Sequence, residues 1–545
     1  MKKSKLFLIS AAMTVNLNVF AQSSFLFVAG KLNTGGNYGY STIQNLSDHS
    51  YLVSGTTNNY GSGENDIILI KVDSAGNYLW AKSIGGAADE GGGFIKNSKD
   101  GGYFLAGSTK TWGSSGTSDI MLMKFDASNN VQWTQVAGAS AYEISINSLD
   151  IASDSSLYVG GADVSTGNYF GYISRFTASG THLWSRVLAP DTTSPVPHSD
   201  YYQNYAATSD SGVIAVGWSW SYRMTGAGNR QCIVVKFNSS GNIDWAKIIG
   251  IGSSGLGGFD ANCITPVSGG GYIVSGDIGV NGVILVKIDA TGNLLWAKQT
   301  NEGGASSRII QTSDGGFLIA GKSAYWHPNN KLTRTQWKFD GSGNILWTMS
   351  DISIADGHPN PFEWDYQPIE TDDGYVTAGF SHRHTDAYAE TQLSLQKFKY
   401  DGTTCEESSV IATVSNITDI LVNDITTRVQ TYLQTPAVIT SNPSVIPTFI
   451  TPDYWTECSV LSINNHVIND SKANIYINSN TLYISANTAI NQTLITDMSG
   501  KQLMKTVGKG QSDIQINIES LHSGIYIATI ITEKGKIIRN KFLRL

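Results

Sequence analysis

Asp119-Ile-Met-Leu-Met-Lys-Phe-Asp126, continued by Ala127-Ser-Asn-Asn130-Val-Gln-Trp133, is the stretch that decides the fold. Its tryptophan returns about every 51 residues, as Trp80, Trp133, Trp184, Trp245, Trp296 and Trp347, and a fixed period of this length marks a repeat architecture. Upstream of each lies a glycine-punctuated apolar run, such as Tyr51-Leu-Val-Ser-Gly55, Tyr103-Phe-Leu-Ala-Gly107 and Phe317-Leu-Ile-Ala-Gly321. That run occurs seven times, the last being Tyr375-Val-Thr-Ala-Gly379. A second alternating run, ending in a basic and then an apolar residue (Lys71-Val72, Lys124-Phe125, Arg175-Phe176, Lys397-Phe398), also occurs seven times.

Both runs have strand length and are bounded by Asp-Gly or Gly-Asn pairs, the pattern of antiparallel hairpins. Asp100-Gly101-Gly102, Asp314-Gly315-Gly316, Gly76-Asn77 and Gly241-Asn242 supply turns that need positive φ, where Gly, Asn and Asp sit at least cost. With an opening strand such as 143–151, each unit holds four short antiparallel strands, and no amphipathic helix is legible in the array. Four-stranded units in tandem are the blades of a β-propeller, and seven lies within the usual range. The seventh tryptophan strand is missing after 364–400, but Phe25-Leu-Phe27-Val28 aligns with Tyr78-Leu-Trp80-Ala81. Residues 24–32 are therefore expected to supply the outer strand of the last blade and close a seven-bladed ring over residues 22–400, with Phe27 in the tryptophan's place. Closure removes an exposed sheet edge.

A length of 545 residues, 41% hydrophobic and 15% charged, allows a large core and more than one domain. The net charge of −8 argues against nucleic-acid binding. Residues 1–21 read as a secretory signal peptide: Lys2, Lys3 and Lys5, an apolar core from Leu6 to Val15, and Val19-Phe20-Ala21 before Gln22. No later run of about 18 apolar residues suggests a membrane span. In an exported chain the four cysteines invite pairing. Cys405 and Cys458 bracket a Thr/Ser-rich segment and are expected to pair across it; Cys232 and Cys263 either meet between neighbouring blades or remain buried thiols.

The rhythm stops after Tyr400. Residues 401–470, with Pro436, Pro443, Pro447 and Pro452, suit an extended connection or irregular cap. From residue 471 a new alternation predicts six or seven short strands and a small Ig-like β-sandwich over 471–545. Asp497-Met-Ser-Gly500-Lys501, Ile516-Asn-Ile-Glu-Ser-Leu521, Ser523-Gly524-Ile-Tyr526 and the basic ending through Arg539-Asn-Lys541-Phe542 resemble the type A C-terminal sorting domain of the type IX (Por) secretion system of Bacteroidetes. That resemblance implies type IX secretion machinery as partner, and export across the outer membrane followed by release or attachment to surface polysaccharide. The usual Tyr-Pro-Asn-Pro opening is absent, with Tyr476-Ile-Asn-Ser near its place. The repeats resemble secreted β-propeller repeats of such surface proteins, which implies fold and little about ligand.

Residues present in every unit read as structural, so departures from the repeat carry the functional expectation. Tyr201, Tyr202 and Tyr205 precede Trp218, Trp220 and Tyr222 in the fourth unit; Tyr325-Trp326-His327-Pro328, the segment from His358 to Trp364, and His382-Arg-His384 stand out later. Trp218, Trp220, Tyr222, Trp326 and Trp364 are candidates for stacking on sugars or other flat ligands, or for inter-blade packing. His382 and His384 face one way on a strand and are candidate metal ligands with His327 or His358, against the commoner role of solvated loop histidines. Asp66 and Asp119 suit a turn or cap better than a calcium site. Nucleophile elbow, zinc-protease and phosphate-loop motifs are absent, Glu363 and Asp365 have no assignable partner, and no cofactor is expected. The leading expectation is a non-enzymatic secreted or surface propeller that binds glycan or protein. The alternatives are a glycan-cleaving propeller, a purely structural surface component, or a quinone-dependent dehydrogenase-like enzyme. The Asp-x-x-Gly-Asn-x-x-Trp unit resembles the tryptophan motif of that last family, which is eight-bladed and commonly carries a vicinal cysteine pair.

Overall fold

A computed structural model describes residues 24–30, 36–44, 47–113, 117–138, 143–163, 169–189, 200–222, 230–251, 258–278, 282–301, 304–323, 333–350, 364–381, 391–404, 408–410, 412–418, 420–434, 445–450, 452–457, 473–478, 481–486, 489–497, 502–508, 510–522, 524–533 and 537–544. All regular structure among them is β, and every pairing is antiparallel. The chain divides into two units, Met1–Val460 and Leu461–Leu545.

Unit one holds seven small sheets, numbered here in chain order. Sheet 1 consists of Asn37–Gln44, Tyr51–Thr57, Asp66–Val72 and Tyr78–Ile84, each hydrogen-bonded to the next. Sheets 2 to 6 repeat that meander, beginning at Glu90–Asn97, Ile144–Ile151, Asp200–Ala207, Phe259–Pro266 and Ala305–Gln311. Sheet 7 contains Trp364–Thr371, Gly374–Ser381 and Gln392–Phe398, and its fourth strand is Phe25–Gly30, from the opposite end of the repeat array. The first strand of each sheet packs on the first strand of the next, and Trp364–Thr371 packs in turn on Asn37–Gln44, so the succession returns to its start.

Each contact between neighbouring sheets has its own apolar cluster. Ile214, Val216, Cys232 and Val234 of sheet 4 meet Phe259, Val274, Ile284 and Val286 of sheet 5, all buried. Phe25, Phe27 and Leu395 of sheet 7 meet Tyr51, Ile68 and Ile70 of sheet 1 in the same way. Strands buried on both faces read as continuous apolar runs, which is why Asp119–Phe125 reads Asp-Ile-Met-Leu-Met-Lys-Phe.

The recurrent tryptophans join one sheet to the turn of the next. The indole N–H of Trp184 donates to Ser239 O (3.0 Å), that of Trp245 to Ala290 O (3.1 Å) and that of Trp347 to Tyr400 O (3.0 Å). Each ring also lies against a turn glycine of that neighbour, Gly241, Gly292 and Gly402 respectively, all at positive φ. The basic residues of the third strands reach the turn aspartates of their own sheets, as in Lys124–Asp100 (2.9 Å), Lys236–Asp210 (2.8 Å), Lys338–Asp314 (2.8 Å) and Lys397–Asp373 (2.7 Å). These pairs brace the face that carries the tight turns. The opposite face carries the longer connections.

Two details differ from the expected closure. Phe25, not Phe27, occupies the tryptophan position, for Phe25 pairs with Lys397 as Trp80 pairs with Lys71. Phe27 instead pairs with Leu395, as Lys82 pairs with Leu69, two positions further along the strand. The segment after Tyr400 is extended, as its proline and threonine content suggests, but it is also hydrogen-bonded. Ser408–Val410, Val414–Asn416, Ile420–Asp424 and Gln430–Gln434 add a fifth strand to sheets 6, 5, 4 and 3 in turn. Thr448–Ile450 then pairs with sheet 1, and Asp453–Glu457 with Phe25–Gly30. The chain thus retraces the sheets backwards along their outer edges.

Unit two contains a three-stranded sheet (Ala473–Asn478, Thr481–Ala486, Asp513–Asn517) and a four-stranded sheet (Gln502–Val507, Ile490–Asp497, Gly524–Thr532, Ile537–Arg544). Leu482, Ile484, Ile495, Ile516, Ala528 and Ile530 form one buried core between them.

Candidate functional site

The seven first strands share one irregularity. Each is bulged against its second strand, at Tyr40, Gly93, Asn147, Gln203, Asn262, Ser307 and Tyr366. A bulge leaves one residue outside the ladder and re-aims it. Five of these residues, Tyr40, Asn147, Gln203, Asn262 and Tyr366, border one common space.

That space is a cavity of about 370 Å³ lined by Tyr40, Phe94, Asn147, Gln203, Asn262, Arg308 and Tyr366, with Gly92, Ser145, Ile146 and Ser306. Toward the tight-turn face it narrows to a smaller space of about 180 Å³ around Lys96, Asp150, Cys263 and Pro266. Phe94, Asn147 and Arg308 border both and form the waist. Arg308 spans it, donating to the carbonyls of Asn262 (3.2 Å), Asn147 (3.0 Å) and Gln203 (3.4 Å) on three different sheets. Asn147 Nδ2 donates to Tyr202 O (2.8 Å), and Asn262 Nδ2 to Ser306 O (3.0 Å) and to Asp277 Oδ2 (2.8 Å).

The wall on the other side is aromatic. Tyr40 meets Tyr366 edge-on (5.5 Å between centroids) and Phe94 in a stacked pair (6.0 Å), while Phe380 supports Tyr366 from behind (6.0 Å). Burial pushes the Tyr40 hydroxyl up to about 12, against the opposing effect of its hydrogen bond with Thr56. Burial, reinforced by the charge of Asp260, pushes the Asp277 carboxyl up to about 7, although Ser306 N and Asn262 donate to it. Stacking faces thus stand opposite amides and a guanidinium, groups able to offer a polar ligand both stacking and hydrogen bonds.

The residues expected from sequence fall elsewhere. Trp218 is half-buried near the long-connection face; it stacks on Tyr201 (5.5 Å) and lies under the Arg230 guanidinium (5.3 Å), which itself pairs with Asp260 (2.6 Å). Trp220 is also half-buried. Tyr222 is fully buried in the core between sheets 3 and 4, so its place among ligand-binding candidates is corrected to packing. Trp326, His327, His358, His382 and His384 lie outside the described residues, as does the side chain of Trp364. Among the described residues no three His, Cys, Asp or Glu side chains come together as a metal site.

Of the two alternatives for Cys232 and Cys263, pairing or buried thiols, the structure has both as free, buried thiols. Cys232, of sheet 4, lies in the core between sheets 4 and 5, and Cys263, of sheet 5, in the core between sheets 5 and 6. Cys405 and Cys458 lie outside the described residues. In unit two Leu521 and Tyr526 are buried, and the Tyr526 hydroxyl donates to His522 O (2.8 Å). Asp497 pairs with Tyr526 and Gly524 with Arg544 across the four-stranded sheet; Gly500 is outside the described residues.

Sequence reasoning missed the bulge residues, yet a signal exists. Gly93, Asn147, Gln203, Ser307 and Tyr366 each stand seven positions before a turn aspartate (Asp100, Asp154, Asp210, Asp314, Asp373).

Comparison with known proteins fits unit two. Residues 471–543 match the family described as the secretion system C-terminal sorting domain. The chain is therefore cargo of type IX secretion, exported to the cell surface or the medium, and the secretion machinery is its partner. No helix among the described residues is long and apolar enough to cross a membrane. A stretch of 164 residues is 30% identical to the regulatory protein FlaEY of Caulobacter vibrioides, covering 26% of this chain and 17% of that protein. Among solved structures, the polysaccharide lyase Uly1 aligns over 70% of this chain and 98% of its own with 10% identity and a TM-score of 0.39. A protein of unknown function from Dyadobacter fermentans aligns over 68% and 97% with 9% identity and a TM-score of 0.38.

Proposed function

We propose that unit one is a seven-bladed β-propeller, with residues 401–460 wrapped around its rim, and that it binds a glycan in the central channel after export. In this reading the Ig-like sandwich of unit two directs secretion, and the propeller is what export delivers. The observation that carries it is the ring of bulged first strands, which brings Tyr40 and Tyr366 opposite Asn147, Gln203, Asn262 and Arg308 around one cavity. Tyrosine faces stack on pyranose rings, and amides offer both donor and acceptor to hydroxyl groups. Propellers host many activities, so this site, and not the fold, supports the reading. Trp218, with Tyr201 and Tyr169 beside it (5.5 and, from Tyr201 to Tyr169, 5.0 Å), adds a second aromatic surface near the same face.

The test is a glycan array with the whole exported chain, followed by titration calorimetry on any hit. Tyr366→Ala and Arg308→Gln are expected to abolish a signal that a Lys99→Ala variant on the tight-turn face retains. A blank array, or a hit indifferent to both channel variants, would remove the proposal.

A further inference from the structure

A second cavity, of about 380 Å³, opens beside the channel across sheets 1 to 3 and shares Tyr40, Gly92 and Ser145 with it. The two spaces are thus neighbours along one surface, and each alone has the volume of a small-molecule site. One wall is the stacked pair Tyr38 and Tyr40 (6.4 Å, 15°), with Phe380 set edge-on behind Tyr38 (5.4 Å). On the other, Lys110 lies between Asp89 and Glu143, 3.6 Å from each, and Asn65 Nδ2 donates to Asp89 (3.1 Å).

The groove is built on backbone, not on free loops. Glu90 N donates to Asn65 O and Ile144 N to Ser118 O, which pins sheet 2 to sheets 1 and 3 where they border it, and Lys110 N donates to Asp89 O within sheet 2, each at 2.8 Å. Glu90 is consumed by this framework, accepting from Gly86 N (2.7 Å), Thr109 Oγ1 (2.7 Å) and Thr111 N (3.2 Å). At Gly91 an added Cβ would meet only Ser108 Oγ within 4 Å, at 3.2 Å. The missing side chain therefore leaves open space on the groove side.

Resting on the channel reading above, we propose that this groove is a second subsite for the same ligand, which is then a linear, uncharged oligosaccharide. Two adjoining subsites, each with a tyrosine face, suit consecutive sugar rings of a chain. The charge decides between sugar classes. Asp89 and Glu143 outnumber Lys110, so the wall accepts hydrogen bonds from hydroxyls and repels carboxylate or sulfate groups.

The experiment is calorimetric titration of the full chain with a neutral oligosaccharide series, from disaccharide to hexasaccharide, and a matching uronate series. Affinity for the neutral series is expected to rise by about tenfold or more with length, because the second contact becomes intramolecular. Gly91→Val fills the groove at a position whose backbone accepts a side chain, and is expected to flatten that rise while leaving the shortest bound member unaffected. Tyr38→Ala serves as the second variant should Gly91→Val unfold. Length-independent binding that Tyr366→Ala abolishes but Gly91→Val and Tyr38→Ala leave alone would overturn the groove and keep the channel. Equal or tighter uronate binding would overturn the uncharged ligand. Failure of both series to bind at all would overturn channel and groove together.

Discussion

The ring of Phe25 lies beneath Gly76, so close that a Cβ on that glycine would stand 2.6 Å from it. Trp184, Trp245 and Trp347 make the same contact with Gly241, Gly292 and Gly402, whereas Phe25 makes it from the strand that completes sheet 7. Phe25→Ala is expected to cost about 3–5 kcal/mol, the range for emptying a buried aromatic site, read from denaturant unfolding of the whole chain. Gly76→Ala should also destabilise, since its φ of 85° and the Phe25 ring both disfavour a methyl.

The lysine–aspartate braces make a statement about acid. Hydrogen bonds from Ser98 and Lys124 hold the Asp100 carboxyl down at about 2, and at Asp210 those from Lys236 and Thr208 overcome its burial to reach about 2. Ordinary aspartates titrate near about 3.9, so the folded values are the lower ones. The stabilisation is full above about pH 4 and lost as pH falls toward 2. The melting temperature is expected to fall through that window, and a combined Asp100→Asn, Asp210→Asn variant to show a shallower fall.

Asp277 has the opposite sign. With its folded value near 7 and its unfolded value near about 3.9, its ionisation opposes folding more and more as pH rises from 4 through 7. Asp277→Asn is expected to remove a loss of melting temperature between about pH 4 and 7. An unchanged slope would show that the carboxyl titrates normally.

The two thiols give a simple chemical check. Burial raises both Cys232 and Cys263 above the ordinary thiol range, and both are free. A thiol reagent is expected to leave them unmodified in the folded chain and to label both in denaturant without prior reduction. Labelling that needs a reductant would mean they had paired.

Tyr222 and Trp218 should separate by what they change. Tyr222 is fully buried, and its hydroxyl donates to Arg428 O (3.4 Å) on the rim segment; Tyr222→Ala is expected to lose about 3 kcal/mol or more of stability. Trp218, half-buried, is expected to cost less. Comparison of unfolding midpoints decides it.

What was legible in the sequence is what local chemistry determines. Gly76-Asn77 and Gly241-Asn242 announce turns, and Trp184 or Trp245 recurs because each fits the turn of the next sheet; one repeat suffices to read them. The bulges at Asn147 and Gln203 are properties of two strands in register, so the spacing of seven to Asp154 and Asp210 acquires its meaning only once the partner positions are known. Phe25 and Phe27 alternate onto the same face of one strand, so only the partner, Lys397, tells which of them takes the tryptophan's place. The rim strands escaped notice because three to five residues, as in Val414–Asn416 and Ile420–Asp424, are too few to display a period, and their partners lie more than a hundred residues away.

The strand Phe25–Gly30 lies between Gln392–Phe398 and Asp453–Glu457, so both of its neighbours are made near the end of unit one. A chain emerging amino end first carries Phe-Leu-Phe-Val-Ala as an unpaired, strongly apolar edge until some four hundred further residues, by about that count, have followed. Maturation is therefore timed by the last part of unit one to appear, immediately ahead of the sorting domain. A truncation before residue 453 would leave the earliest strand exposed to other copies, with aggregation rather than simple loss of a tail as its outcome.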